Sequence, residues 1–495
     1  MDKKDLKTLL INPPQTFYPG SQPFCKSFPI GLGYIAAVLD GKGYRVEVLD
    51  ALMKDFEVVV QGDARYYGMS FGDIEKELRE KAPHIVGITC PFSAQVDNMI
   101  TVARIIKRVN PQALVIVGGP HASVRPKELL EDSQDIDIVV MGEGELVFLK
   151  IVEAYCAGDH DKMHQINGIA YRRNGQVTVL GILNFIQHLD DLPFPAYHLF
   201  DMKKYCDTQD QYLYGYAGKK YSPELSIVTS RGCPYNCFFC SIHLHMGGEW
   251  RENSVDYVMA HLKYVKQNYA VGHIHFDDDN LTLNKKRFSD LLDKIIEEKI
   301  DITWDTPNGV RADLNFELIK KVKQSGCRSL TMAVESGNQV ILDKIIDKKL
   351  DLRDVINMAK ACHELKMALS AFFVLGFPGE TIEDMKMTVK FGDMLHEQYG
   401  VVPLYMVATP LYGTRLYDVC KEKGYLMKDI SPRALSEGGQ IGGVPLIATN
   451  DFKPEDVIRI ISSSWLNRKR SLAEKAIHKI RHYFYNRFRA EERYV

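Results

Sequence analysis

Residues 230–242 read SRGCPYNCFFCSI, with Cys233, Cys237 and Cys240 spaced C-x3-C-x2-C. Thiolates are soft ligands suited to iron–sulfur clusters or zinc, and a loop this short can turn three of them toward one centre. A structural zinc would want a fourth ligand, which His243 or His245 could supply. Structural zinc sites usually pair C-x2-C knuckles, whereas three cysteines leave one iron of a cluster without a protein ligand. The group directly follows Leu225 to Thr229, an apolar run that reads as a strand. Five more strands are predicted at His273 to Phe276, Ile302 to Asp305, Ser329 to Val334, Leu369 to Leu375 and Leu404 to Ala408. Six strands alternating with helices predict an open, partial TIM-type barrel whose chemistry lies at the carboxyl ends of the strands.

Upstream the same alternation holds. Lys7 to Asn12, Tyr44 to Leu49, Ile85 to Thr89, Ala113 to Val117 and Ile136 to Met141 read as strands, and Leu32 to Leu39 and Val96 to Val109 as helices. This predicts a doubly wound parallel sheet, Rossmann-like in class, with ligands beyond the strand ends. Those ends carry Thr89-Cys90-Pro91, Gly118-Gly119-Pro120-His121 and Gly142-Glu143-Gly144-Glu145, which would form one rim. Glycines 118 and 119 would let backbone approach a ligand, or make a pair of tight turns. No G-x-G-x-x-G follows the first strand, which argues against a dinucleotide. Residues 166–179, INGIAYRRNGQVTV, read as a hairpin turning at Asn174-Gly175, and LDDLPFPAYHLFD after it as an extended connector.

Over 495 residues, 62 basic side chains face 64 acidic ones, so no global field recruits nucleic acid, and the ten dispersed cysteines do not form a disulfide scaffold. No apolar run approaches the roughly 18 residues of a membrane span, and the first ten residues do not read as a signal peptide. A cytoplasmic, reducing compartment is expected.

VIVGGPHAS (115–123), DIVVMGEGE (137–145) and FPIGLGYIAAVLDGKGYRVEVLDA (28–51) resemble the cobalamin-binding domain of radical S-adenosylmethionine (SAM) enzymes, and the cysteine loop resembles the radical SAM superfamily. The D-x-H-x-x-G loop of methionine-synthase-type cobalamin domains is absent. The resemblance therefore implies a cobalt without that loop's imidazole; His121 is a candidate ligand by residue type. It also implies cobalamin on the rim of Thr89, Cys90, Ser93, Gly118, Gly119, His121, Gly142, Glu143 and Gly144. Cys233, Cys237 and Cys240 would carry a [4Fe-4S] cluster whose open iron is chelated by SAM. Phe239 stands where the family's aromatic meets adenine. HIHFDDDNLTLN places Asp278 and Asp279 toward the SAM amino group, and WDTPNGVRADL places Arg311 toward its carboxylate. MAVESGNQ gives Glu335 and Ser336 near the ribose, and FFVLGFPGET gives Gly376 beside adenine. ATPLYGTRLY (408–417) resembles the element closing the barrel in the cobalamin-dependent branch, with Tyr412 replacing a proline.

The resemblance divides the chain into a cobalamin-binding unit (1–165), a hairpin and linker (166–220), a barrel (221–415) and a small, mainly helical C-terminal region (416–495). It implies reductive SAM cleavage and cobalamin-dependent methylation of an unactivated carbon in a small-molecule or lipid substrate, with flavodoxin or ferredoxin as electron donor and no nucleic acid. A cyclase of the anaerobic chlorophyll-pathway type is the nearest alternative; a cobalamin-responsive binding protein with an inactive barrel is one from another class. A methylthiotransferase would need three further cluster cysteines, and Cys25, Cys90 and Cys156 are too dispersed. Leu472, Ala476, Ile480, Tyr483, Phe484 and Phe488 recur at helical spacing among basic residues, so this end reads as a basic amphipathic helix that packs on its own domain or lies on a membrane surface.

Overall fold

A computed structural model describes residues 2–18, 27–54, 58–181, 185–206, 223–439 and 443–464. The C-terminal helix expected around residues 472–488 lies outside the described residues.

The first sheet contains β1 (Lys7–Asn12), β3 (Arg45–Asp50), β6 (Ile85–Thr89), β7 (Leu114–Gly118) and β8 (Ile138–Val140), with β9 (Ile169–Arg173) and β10 (Gln176–Val179) at one edge. Its order is β10-β9-β8-β7-β6-β1-β3, and the pairs among the first five strands are parallel. Chain order reverses between β1 and β6, which makes a switch point of the doubly wound type. Two apolar layers cover the faces: Leu10, Leu39, Ile116 and Phe148 on one, and Leu9, Ile88, Met99 and Val117 on the other. Alternation along β1 explains the split, since Leu9 and Leu10 point to opposite faces.

The hairpin forms on the expected two-residue turn, with Asn174 and Gly175 both at positive φ. It does not begin the linker as expected. β9 instead pairs antiparallel with β8 and continues the first sheet past residue 165. A further antiparallel sheet, β2 (Gln15–Phe17), β5 (Ala64–Tyr67) and β4 (Val58–Gln61), in that order, was not announced by the sequence.

All six strands of the second sheet form: β11 (Glu224–Ile227), β14 (His273–Phe276), β15 (Thr303–Asp305), β16 (Cys327–Glu335), β17 (Ala368–Leu375) and β18 (Val402–Val407). They are parallel and lie in chain order, an open barrel wall with helices between successive strands. Ile274, Phe276, Leu225 and Trp304 pack with Val258, Leu262, Leu291 and Ile319 of those helices, so the intervening strand residues face the lumen. A two-stranded ribbon, β12 (Ser230–Arg231) with β13 (Arg251–Glu252), brackets the cysteine loop at the carboxyl end of β11.

Candidate cluster and cofactor site

Gly232 is the local reason the cysteine loop closes. Its φ is +81°, and a Cβ there would lie 2.3 Å from the Glu249 carbonyl oxygen and 3.0 Å from that of Met246. Only glycine lets the outgoing and returning chains approach this closely. The Gly232 N–H donates to Asp279 Oδ2 (2.9 Å). Asp278 Oδ1 accepts from the Thr229 N–H (3.1 Å), the Thr229 hydroxyl (2.8 Å) and the Ser230 hydroxyl. The two aspartates expected at the SAM amino group thus spend these oxygens holding the loop's own backbone. Burial raises both carboxyls, that of Asp279 to about 6. Asn280 Nδ2 donates to Cys233 Sγ at 3.7 Å.

Phe239 meets the loop after β17. Its ring is 5.6 Å from that of Phe377, in the loop after β17 that also contains Gly376. Glu380 shapes that loop: its Oε2 accepts from the Gly376 N–H (2.8 Å) and the Phe377 N–H (2.7 Å), and burial pushes its carboxyl up to about 8. Ser336 is not free for a ribose; its hydroxyl shares a hydrogen bond with Thr388 (3.0 Å) and accepts from the Asn338 N–H.

Arg311 and Glu335 have protein partners. Arg311 donates to the carbonyls of Lys348 and Lys349 and stacks 4.0 Å above the Tyr235 ring. Glu335, at φ +72°, receives the Lys348 ammonium at 2.7 Å, both side chains being buried. Sequence reading missed Lys348. Asp347 and Lys349 on either side adopt φ +59° and +55°, a left-handed backbone costing about 1–3 kcal/mol per non-glycine residue, and this bend turns Lys348 inward while Lys349 stays exposed. Burial raises the Cys237 thiol, and the Lys348 ammonium pulls it back toward thiolate. The usable signal was the Asp-Lys-Lys run following the β16 loop, in which only one lysine is needed outside.

In the first unit the three strand-end loops are knitted together. Gly119, at φ +108°, would place a Cβ 2.9 Å from the Cys90 carbonyl oxygen, so its glycine serves packing of neighbouring loops. The Cys90 N–H donates to the Gly118 carbonyl, Ser123 donates to the Gly119 carbonyl (2.9 Å), and the Gly142 N–H donates to Ser123 Oγ (2.9 Å). Cys90 is buried and its thiol is raised far above the ordinary range. His121 shares a hydrogen bond with Ser93 through Nδ1 (2.7 Å), and burial lowers its imidazole to about 4, the neutral form a metal requires. Ser123 was within the quoted motif but unassigned, and it is the tie between the second and third loops.

Glu143 leaves that rim. Its Oε1 receives Arg231 (3.0 Å) and its Oε2 receives Arg251 (2.7 Å) and the Ile186 N–H (2.6 Å), while Glu145 receives the other Arg231 nitrogen at 2.9 Å. All four charged side chains are less than a tenth exposed. Arg231 immediately precedes the cysteine loop, so the end of β8 is bolted to the end of β11. A second contact comes from the barrel-closing element: Arg125 lies 4.3 Å above the Tyr412 ring, and Gly413 faces Leu244 and Val124. The carboxyl ends of the two sheets therefore face one another.

The residues fit the groups the resemblance implies. Three half-buried thiols on one loop suit an iron–sulfur cluster. Around that loop Asp278 Oδ2, Asn280 Oδ1 and Glu380 Oε1 are buried with no partner among the described residues, as polar atoms do where a polar molecule docks. The knitted rim with its neutral imidazole suits a corrin edge.

The B12 binding domain family matches residues 26–152, and the Radical SAM superfamily matches residues 227–392. The chain is 34% identical over 415 residues to an uncharacterized methyltransferase of Pyrococcus horikoshii, covering 84% of this chain and 83% of that one. It is 32% identical over 456 residues to cytidylyl-2-hydroxyethylphosphonate methyltransferase of Streptomyces wedmorensis, covering 85% and 82%. To the anaerobic magnesium-protoporphyrin IX monomethyl ester cyclase of Cereibacter sphaeroides it is 23% identical over 456 residues, covering 89% and 69%. The structure of the radical SAM methyltransferase TsrM from Kitasatospora setae with cobalamin and [4Fe-4S] cluster has the same fold, with a TM-score of 0.67 at 17% identity, covering 92% of this chain and 85% of that one. The chain belongs to the cobalamin-binding radical SAM enzymes. Within them it stands with the methyltransferases rather than the cyclases, and its cofactors are cobalamin, SAM and a [4Fe-4S] cluster.

Proposed function

We propose that this chain methylates an unactivated carbon of a small molecule seated between the two facing rims, with Cys233, Cys237 and Cys240 ligating the cluster and the loops at 89–93, 118–121 and 142–144 holding cobalamin. When bound, the cofactors supply SAM cleavage for hydrogen abstraction and a methyl group for transfer. The chain's own residues position and enclose. Gly232, Asp278 and Asp279 fix the cysteine loop, Phe239 and Phe377 flank the adenine side, and Arg311, Glu335 and Lys348 set the charge beside Cys237. The observation that supports this reading is the buried Glu143–Arg231–Arg251 bridge, which ties the glycine-rich rim to the base of the cysteine loop.

The phosphonate relative makes cytidylyl-2-hydroxyethylphosphonate the first substrate to try, with reduced flavodoxin or ferredoxin as electron donor. A cytoplasmic site of action accords with this chemistry, and among the described residues no helix is long and apolar enough to cross a membrane. Anaerobic turnover with quantified adenosyl products tests the proposal. S-adenosylhomocysteine and 5′-deoxyadenosine should rise together, in equal and substrate-dependent amounts. Deoxyadenosine alone, across a panel of substrates, would refute methyl transfer.

A further inference from the structure

Within the lumen face of β11, β14 and β15, outside the cysteine loop, lies a second set of ligand-type side chains. Strand alternation puts His273 and His275 of β14 on the lumen face, and register sets His273 beside Glu224 of β11 and Thr303 of β15, and His275 beside Asp305. His273 and His275 are 1% and 3% exposed. Asp305 lies between the two rings, with Oδ2 3.4 Å from His273 Nε2 and Oδ1 2.7 Å from His275 Nδ1. One donor atom from each of the three residues lies within 4.8 Å of the others.

The outer nitrogens carry the argument. The Thr303 hydroxyl donates to the Gly272 carbonyl (3.3 Å), so its oxygen accepts from His273 Nδ1–H (2.7 Å), and His273 Nε2 turns toward Asp305. His275 is hydrogen-bonded to Asp305 Oδ1 through Nδ1 (2.7 Å) and faces the Glu224 carboxylate through Nε2 (3.5 Å), so a metal ion that displaced the Nδ1 proton would leave the ring held by Glu224. Ligating histidines are oriented in this way, the far nitrogen bonded to a carboxylate or other oxygen while the near one coordinates. A barrel lumen that needed only packing would not require two buried imidazoles aimed at one carboxylate.

We propose that His273, His275 and Asp305 bind one divalent transition-metal ion, with Glu224 and Thr303 as its outer supports. Two imidazoles and a carboxylate suit zinc, iron(II) or manganese(II), and the partly exposed Asp305 leaves a position for water. Such an ion would tie β14 to β15 directly, and β11 through Glu224.

The test uses the full-length, cluster-loaded protein, washed with chelator, exposed to Zn²⁺ alone, gel-filtered, and measured for zinc and iron by mass spectrometry. The parent should retain one zinc per chain, and His273→Gln and His275→Gln should lose it with cluster iron unchanged. Glu224→Gln and Thr303→Val keep every donor and should weaken zinc affinity by about 10–100-fold. Should the histidine variants fail to hold a cluster, this second pair decides. Only trace zinc in the cluster-loaded parent overturns the proposal. Undiminished zinc in both histidine variants, or unchanged affinity in both outer variants, also overturns it. Because zinc content is the readout, the result is independent of the methyl-transfer reading.

Discussion

Replacing Glu143 with glutamine removes one negative charge from a buried set of two glutamates and two arginines without changing its shape. In the parent these charges balance; in the variant Arg251 loses its 2.7 Å carboxylate, while Arg231 keeps Glu145 at 2.9 Å. Breaking a buried pair by removing one partner costs about 3–5 kcal/mol, and the surviving Glu145 contact argues for the lower end. Since 1.4 kcal/mol is a factor of ten, about 3 kcal/mol is roughly a 150-fold shift toward separated rims. Each unit has its own apolar core, so the loss should fall on their docking rather than on either fold. In anaerobic turnover the variant should still cleave SAM and keep its cluster iron, but methylated product per deoxyadenosine should fall with the docked fraction, by up to about 150-fold where the parent's docking is only marginally favourable. An unchanged coupling ratio would refute the reasoning. So would loss of cluster iron, because Glu143 would then be holding the cysteine loop and not the alignment.

Gly232→Ala forces a Cβ against the Glu249 carbonyl oxygen, so the purified variant should lose most of its cluster iron and its cluster absorbance. Lys348→Met leaves Glu335 buried and unpaired and should cost about 3–5 kcal/mol in denaturant titration; adding Glu335→Gln should restore much of that stability without restoring SAM cleavage. Glu380 carries a pH signature. Its carboxyl, raised from 4.5 to about 8 in the fold, holds a proton the unfolded chain has lost, so its contribution is complete below about 4.5 and is lost as pH rises to about 8. Glu380→Gln keeps an acceptor for the Gly376 and Phe377 N–H groups, so over that window the parent should lose on the order of a few kcal/mol relative to the variant. Parallel curves across pH 5 to 8 would contradict the assignment.

The sequence by itself determined the architecture, because that information is local. Apolar runs alternating with helical periodicity declared both sheets, and every barrel strand lies where it was expected to within a few residues. The C-x3-C-x2-C spacing determined the thiol loop, since three ligands within eight residues must share a neighbourhood whatever surrounds them. Even the Asn174-Gly175 turn was readable, because it depends on the backbone freedom of two residues. What the hairpin joins was not, because strand pairing is a long-range choice. The roles of charged residues likewise depended on the tertiary structure. Glu143 read as a rim residue but finds its arginines 88 and 108 positions away, and Asp278 and Asp279 read as ligand groups but bind a backbone nearly 50 positions upstream. A carboxylate's sequence neighbourhood does not say whether its partner will be a cofactor, a cation or an amide. Only the packed structure decides that, because a buried charge must be satisfied by whatever the fold places within about 3 Å of it.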